Sequence, residues 1–364
     1  MIYLDYQATT PLAPEACEAM MPWLSAEGSA NPHSSHIAGR AAKAAIERAR
    51  EQVASLLPAG GNVYFTSGAT EAANWALQGA LGRGGLVVPE TEHACVRDTA
   101  LFLRTRGHDV TFLTVSPDGM VDESAEIPLG TTVVAAMHVN NEIGVNQPIK
   151  ALAKAAHDAG ALFFCDAVQS YGRIAIPDGC DMIAISAHKI HGPKGVGALW
   201  VRDGVTLLPF MHGGGQESGL RSGTLSPALC AGFGAAADLA VARFDEDAAH
   251  VARLWDAAVG RLGQNWTING SIAHRYKGNL NIRLDGLDAS RIISECRDVA
   301  LSAGSACASG SGRPSHVLTA LGLSRARAQS SLRIGFGRYT TETELMDAID
   351  QINAAVGRQM DMAA

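Results

Sequence analysis

The sequence predicts an α/β fold, a mainly parallel seven-stranded sheet covered on both faces and followed by a smaller α+β C-terminal domain. Three observations lead there. Between residues 62 and 202 seven short apolar runs rich in β-branched residues recur, and helical stretches separate several of them, as parallel strands require. Most of these runs end on polar or ionisable residues, which suits a sheet that presents one rim to a ligand. From Ser226 the texture changes to a long Ala-rich helical segment and then to scattered short strands and helices. A chain of 364 residues has room for a large domain and a smaller one at roughly 150 residues each, and the division is placed between residues 1–255 and 256–364.

Taken in order, residues 1–36 contain Pro11, Pro14, Pro22 and Pro32 as breakers and read as an irregular arm that crosses the surface and packs on the small domain. Residues 38–57 carry apolar positions at helical spacing and stop at Pro58 and Gly60. Strands follow at 62–67, 85–89, 109–115, 131–139, 161–167, 182–187 and 198–202, with helices at 71–81 and 149–159 among the connections. A helical segment with no proline after Pro227 runs to near Gly263. Beyond it, strands are expected at 280–284, 299–302 and 332–336, and helices at 288–297 and 342–356.

Composition excludes several classes of function. Hydrophobic residues make up 47% and charged residues 18%, an ordinary soluble balance, and the formal charge of -7 offers no attraction for nucleic acid. No run reaches the roughly 18 apolar residues of a membrane helix, and the N-terminus has neither a basic region nor an apolar core of a signal peptide, so no membrane partner is expected. The 7 cysteines are odd in number and form no C-x-x-C pair, which argues against a disulfide framework and an intrinsic metal site and for a reducing cytoplasm.

The strand ends carry the chemistry. Lys189 follows a buried apolar strand directly; it is either a solvated loop lysine or an amine whose pKa burial and neighbouring histidines depress, as Schiff-base chemistry needs. Ser67-Gly68-Ala69-Thr70 opens a helix and is either an ordinary N-cap or a phosphate cradle, with Ser186 and His188 as further donors. A phosphate-bearing cofactor that also needs a lysine is pyridoxal 5'-phosphate (PLP). Asp166 ends a strongly apolar strand and needs a partner, whether a protonated pyridine nitrogen, a helix cap or a buried arginine. Gln169, a few residues on, is a candidate hydrogen-bond partner for the ring's phenolic oxygen, and His93, just past another strand, is a candidate to stack on a flat ring or shuttle protons, or a histidine that does neither. Cys307 sits among small residues and glycines, a poor core position and a suitable one for an exposed nucleophile. Arg333 lies inside an apolar strand, where it clamps a substrate carboxylate or closes an internal salt bridge.

The motifs occur in a recognisable order: Tyr3-Leu4-Asp5-Tyr6-Gln7-Ala8-Thr9-Thr10-Pro11, Thr66-Ser67-Gly68-Ala69-Thr70-Glu71, Glu92-His93, His138-Val139-Asn140-Asn141-Glu142-Ile143-Gly144, Asp166-Ala167-Val168-Gln169-Ser170, Ser186-Ala187-His188-Lys189, Arg221-Ser222-Gly223-Thr224 and Gly304-Ser305-Ala306-Cys307. Nearly end to end, the chain resembles the PLP-dependent cysteine desulfurases of the NifS/IscS type, in the class V aminotransferase group with the fold-type I architecture.

The resemblance implies that Lys189 is the Schiff-base lysine and proton shuttle, that Asp166 pairs with the pyridine nitrogen and that His93 stacks on the ring. It further implies that Ala69, Thr70, Ser186 and His188 hold the phosphate, that Gln169 and Asn141 contact the ring oxygen or the substrate, and that Arg333 takes the substrate carboxylate. Thr224 is implied to reach the phosphate of a neighbouring subunit, which makes the protein a homodimer. The implied reaction converts L-cysteine to L-alanine and leaves the sulfur as a persulfide on Cys307, from which an iron-sulfur scaffold or another acceptor takes it; Cys307 is also a candidate ligand for a cluster in transit. A selenocysteine lyase or an aminotransferase on the same fold is the alternative. The chain stops soon after its last helix, without the longer tail that IscS-type members set against a scaffold, which leaves the docking mode open.

Overall fold

The computed structural model describes residues 1–26, 28–304 and 314–362. In chain order its strands are β1 (Ile2–Tyr3), β2 (Gly61–Thr66), β3 (Gly85–Pro89), β4 (Val110–Leu113), β5 (Thr131–Met137), β6 (Leu162–Asp166), β7 (Met182–Ser186), β8 (Gly197–Arg202), β9 (Thr267–Ile268), β10 (Asn279–Arg283), β11 (Val299–Ala300) and β12 (Ser331–Gly335). The helices are α1 (Pro14–Met20), α2 (Ile37–Ala54), α3 (Ala69–Ala80), α4 (Ala94–Thr105), α5 (Ile149–Asp158), α6 (Pro227–Ala242), α7 (Phe244–Leu262), α8 (Ala289–Glu295), α9 (His316–Ala320), α10 (Arg325–Gln329) and α11 (Glu342–Asp361).

Strands β2 to β8 form a 7-stranded sheet in the order β2-β8-β7-β6-β5-β3-β4. Neighbours from β4 through β7 pair in parallel, while β8 runs antiparallel to both β7 and β2. The reversal has a simple cause. Only residues 187–196 separate β7 from β8, and they hold no helix longer than a single 3-10 turn, so the chain cannot cross over and must fold back.

Period-two alternation places Val134, Ala136, Phe163, Cys165, Ile183 and Ile185 on one face of this sheet, against Ala49, Val53, Leu152 and Phe233 of α2, α5 and α6. Val133, Ala135, Phe164, Met182 and Ala184 take the other face, against Ala73, Leu77, Val96 and Leu103 of α3 and α4. At roughly 1.5–3 kcal/mol per fully buried aliphatic or aromatic side chain, both faces are strongly committed to the interior. Only the strand ends remain for chemistry.

The C-terminal part stacks an antiparallel β9-β10-β12 sheet against α7, α8 and α11 around a second apolar cluster that includes Leu254, Trp255, Leu280, Ile334 and Ile349. Leu4 of the N-terminal arm joins this cluster, and β1 pairs in parallel with β11. The arm is thus less irregular than its prolines suggest. Pro14 occupies the first helical turn of α1, where its missing N–H costs nothing, so the breaker starts a helix instead of ending one.

The Ala-rich segment expected as one long helix is two helices, bent by 73° at Arg243. Helix α6 is apolar on nearly all sides and lies on α1 and α2, whereas α7 buries one face, Val251, Leu254, Trp255, Ala258 and Leu262, in the second cluster. One straight helix cannot serve both. Asp245, Glu246 and Asp247 in the first turn of α7 favour a fresh N-terminus there. The residue 255/256 division falls inside α7, all of whose buried side chains belong to the second cluster. Among the described residues no single helix is long and apolar enough to cross a membrane; α6 and α7 reach that length only as a bent pair.

Candidate active site

The ends of β2, β3, β5, β6 and β7 meet residues 7–9 of the arm and Arg333 of β12 around a cavity of about 570 Å³. Ala69, Thr70, His93, Asn141, Asp166, Gln169, Ser186, His188, Lys189 and Arg333 all line it. Thr224 does not: it is exposed and lies outside the cavity of its own chain. Cys307 falls outside the described residues.

One end of the cavity is built for an anion. Helix α3 starts at Gly68 with no side-chain cap, so the first-turn N–H groups around Ala69 and Thr70 open towards the cavity that both residues line. Gly197 at the start of β8 lets this turn approach: a Cβ there would stand 2.8 Å from Gly68 Cα and 2.6 Å from the Ile185 carbonyl oxygen. Ser186, His188 and Lys194 complete the lining. Burial holds His188 neutral, its pKa down at about 4, with Nδ1 facing the Thr9 hydroxyl at 3.2 Å. Glu71 lies in the same turn, but Arg221 engages both its carboxylate oxygens, at 2.7 and 3.1 Å, so its charge is compensated.

Lys189 stands in the middle. Its Nζ donates to the carbonyls of Gln7 and Ala8. Burial, with the Arg173 and Arg333 cations nearby, lowers its pKa to about 7, while Asp5 and Asp166 oppose the shift. The sign is definite: above pH 7 the amine is mostly neutral and nucleophilic, whereas an ordinary lysine stays protonated to about pH 10.4. In the cofactor-free chain, labelling of Lys189 by an amine-reactive reagent, read by peptide mass spectrometry, is expected to rise with a midpoint near pH 7. A midpoint above pH 9 would mean the amine is not shielded as described.

Opposite the anion end, Asp166 is buried at 4% exposure; its Oδ1 accepts the Val168 N–H at 3.0 Å, and the Cys95 thiol lies 3.9 Å from Oδ2. Burial raises its pKa and the neighbouring His93 and Lys189 counter this, so the carboxylate stands to gain from a cation in the cavity. His93 caps α4, accepting the Cys95 N–H through Nδ1 at 3.2 Å, and burial keeps the ring neutral, which leaves the proton on Nε2.

Arg333 is 1% exposed and joins the three parts of the chain. Nη2 donates to Asp5 Oδ1 and to Ser302 Oγ, each at 2.8 Å, and Nη1 to the Asn141 carbonyl at 3.1 Å. The internal salt bridge expected as an alternative is therefore present, with Asp5. Nε, however, is buried without a hydrogen-bond partner among the described residues, so the guanidinium keeps a donor that Asp5, Ser302 and Asn141 leave unsatisfied. Asn140 steadies this corner: its Oδ1 accepts the Glu142 and Ile143 N–H groups, folding the turn that carries Asn141 to the cavity wall.

Several lining residues escaped sequence reasoning from residue chemistry alone. Gln7, Ala8 and Thr9 come from an arm read as surface, pinned here by Thr10, whose N–H and hydroxyl both donate to the His188 carbonyl. Cys95, whose sequence context reads as that of a small hydrophobe, also lines the cavity.

The donor set fits PLP. A helix N-terminus with neutral donors suits its phosphate, an amine of depressed pKa its aldehyde, and a buried carboxylate its pyridinium nitrogen. The sequence model of the aminotransferase class-V family matches residues 2–347. The chain belongs to that family. As a class-V aminotransferase its cofactor is pyridoxal phosphate. Among curated relatives, the cysteine desulfurase IscS of Rickettsia bellii (strain OSU 85-389) is 40% identical over 380 residues, covering 100% of this chain and 92% of the relative. Among solved structures, a NifS-like protein from Rickettsia africae ESF-5 superimposes with a TM-score of 0.87 at 29% identity, covering 97% of this class-V chain and 99% of the other. A protein described as SspA in complex with cysteine follows with a TM-score of 0.82 at 36% identity, covering 94% of this chain and 100% of that one.

Proposed function

We propose that the protein is a cysteine desulfurase, which converts L-cysteine to L-alanine and carries the sulfur away on Cys307. The observation that supports this most is the meeting of Lys189, Asp166 and Arg333 in one cavity. Ser302 donates to Asp5 and accepts from Arg333, which lines the cavity, and Ser315 donates to Glu142, the neighbour of the lining residue Asn141, so the described residues on either side of 305–313 are held near it. Cys307 follows Ser302 by five residues, a tether of at most roughly 18 Å.

The positions of the lining residues support a role for each. Of the lining residues, Ala69, Thr70, Ser186 and His188 would hold the cofactor phosphate, Asp166 would pair with the ring nitrogen, His93 would lie against the ring, and Gln169 and Asn141 would donate to the ring oxygen or the substrate. Arg333, the buried cation in the lining, would take the substrate carboxylate while Asp5 balances the remaining charge. When bound, the cofactor supplies an electron sink that labilises bonds at the substrate's Cα and Cβ. Lys189, near half-neutral at pH 7 and held by the arm carbonyls of Gln7 and Ala8, removes the Cα proton and returns it. The Cys307 thiolate attacks the substrate sulfur: an S–S bond forms as the Cβ–S bond breaks, the electron pair stays with carbon, and protonation of that carbon completes alanine. Overall, L-cysteine and the Cys307 thiol give L-alanine and a Cys307 persulfide. A thiol-bearing acceptor, such as an iron-sulfur scaffold, then takes the outer sulfur.

Cys307→Ala tests the reading: persulfide and alanine should both fall to background in an anaerobic assay, and alanine formation at the parent rate with free sulfide would oppose it.

The exposed position of Thr224 supports a homodimer in which it serves a second copy. Leu208 at 63% and Met211 at 39% exposure, with Phe210 between them, form an apolar edge beside Arg221, which bridges to Met211 and reaches Glu71 at the phosphate end. Thr224→Ala is expected to weaken PLP binding about tenfold, the loss of one hydrogen bond to a charged group, while sedimentation still gives a dimer. Unchanged affinity, or a monomeric parent protein, would remove Thr224 from the site.

A further inference from the structure

Gln169 and Lys189 share a neighbour that has no role in the scheme above. Arg173 lies in the turn after β6, its guanidinium 5.4 Å from the centre of the Tyr276 ring. Its Nη1 donates to Gln169 Oε1 at 2.8 Å and its Nη2 to the Lys189 backbone carbonyl. Arginine offers only donors, so the atom of Gln169 that faces it must be the amide oxygen. The amide nitrogen is thereby turned the other way. One of its N–H groups goes to the Gln7 carbonyl at 2.9 Å, and the second remains for the cavity that Gln169 lines. Arg173 and the Gln7 carbonyl fix this orientation together: a flipped amide would set its oxygen against the Gln7 carbonyl oxygen and its NH2 against the guanidinium.

We propose that Arg173 is a positioning residue that, with the Gln7 carbonyl, holds Gln169 as a donor to the cofactor's ring oxygen and clamps the backbone that carries Lys189. This deepens the desulfurase reading and rests on it for the identity of the ring. The charge of Arg173 has a second consequence. The groups that face Lys189 are Arg173, Arg333, Asp5, Asp166, His93 and His188, and after burial itself Arg173 is the main influence lowering the lysine's pKa. Arg173 also borders a small second cavity of about 30 Å³ behind Lys189, shared with Tyr276, Asp247 and Arg338, so its place is enclosed by other elements and not set by solvent.

Two variants separate geometry from charge. Arg173→Met removes both; Arg173→Lys keeps the charge but lacks the planar fork that reaches two acceptors at once. Two readouts besides turnover are taken on the full chain: the affinity for PLP, by fluorescence titration, and the pH midpoint of Lys189 labelling in the cofactor-free protein. Arg173→Met is expected to bind PLP about tenfold more weakly and to raise the labelling midpoint by about one pH unit. Arg173→Lys is expected to show the weaker PLP binding with a midpoint close to that of the parent, and it carries the test if the methionine variant does not fold. Parent-like PLP affinity in Arg173→Lys would overturn the positioning role, as would equal shifts of both readouts in the two variants, which would mark a packing defect. These outcomes are independent of the function itself: a parent protein that binds PLP but makes no alanine from L-cysteine would sink the desulfurase reading and leave the Arg173 result standing.

Discussion

Lys189→Ala is expected to abolish alanine formation from L-cysteine, lowering kcat by roughly 10⁴-fold or more, because one side chain supplies both the covalent attachment and the proton transfer, and proton transfer alone is worth about 10²–10⁴-fold. The visible absorbance of the lysine-linked cofactor should vanish with it. The fold should survive. Lys189 touches the arm only through the carbonyls of Gln7 and Ala8, while Thr10 keeps its own two bonds to the His188 carbonyl. A thermal midpoint within a few degrees of the parent, together with the lost turnover, would place the effect in the chemistry. Turnover within tenfold of the parent would mean that another group moves the Cα proton.

The second large effect is expected for Asp166→Asn, which keeps shape and the Val168 N–H contact but removes the charge. A buried carboxylate beside a ring nitrogen acts as preorganised electrostatics, and removal of one such group typically costs about 10²–10³-fold in kcat. The KM for L-cysteine should change little, since Arg333 and Asn141 lie at the other side of the cavity corner and are tied to Asp5 and Ser302. Stopped-flow or steady-state measurement of kcat and KM separately checks this. A change confined to KM would move Asp166 from the cofactor to the substrate.

Much of the site was legible because the sheet concentrates it. Strands β2, β3, β5, β6 and β7 are short apolar runs, and each polar residue just past their ends falls on the same rim once the strands are parallel. What local pattern could not supply is contact across sequence distance. Arg333 stood out in an apolar strand, but its ion pair with Asp5 spans 328 residues and belongs to no local pattern. The same is true of Gln7 and Ala8, which reach Lys189 from an arm that proline content marked as irregular. Arg173 belongs to none of the motifs the sequence offers, and only the fold shows it holding Gln169 and Lys189 together. The break at Arg243 left no trace because neither proline nor glycine makes it; two separate cores do.

The account turns on where the sulfur goes. Purified protein loaded with PLP should be given L-cysteine without oxygen or reductant, alanine counted, and every cysteine-containing peptide weighed by mass spectrometry. One added sulfur on Cys307, appearing with a first equivalent of alanine per subunit, is the result expected. Alanine with sulfur released as sulfide and no adduct on Cys307 would contradict the mechanism, and no alanine at all would contradict the function.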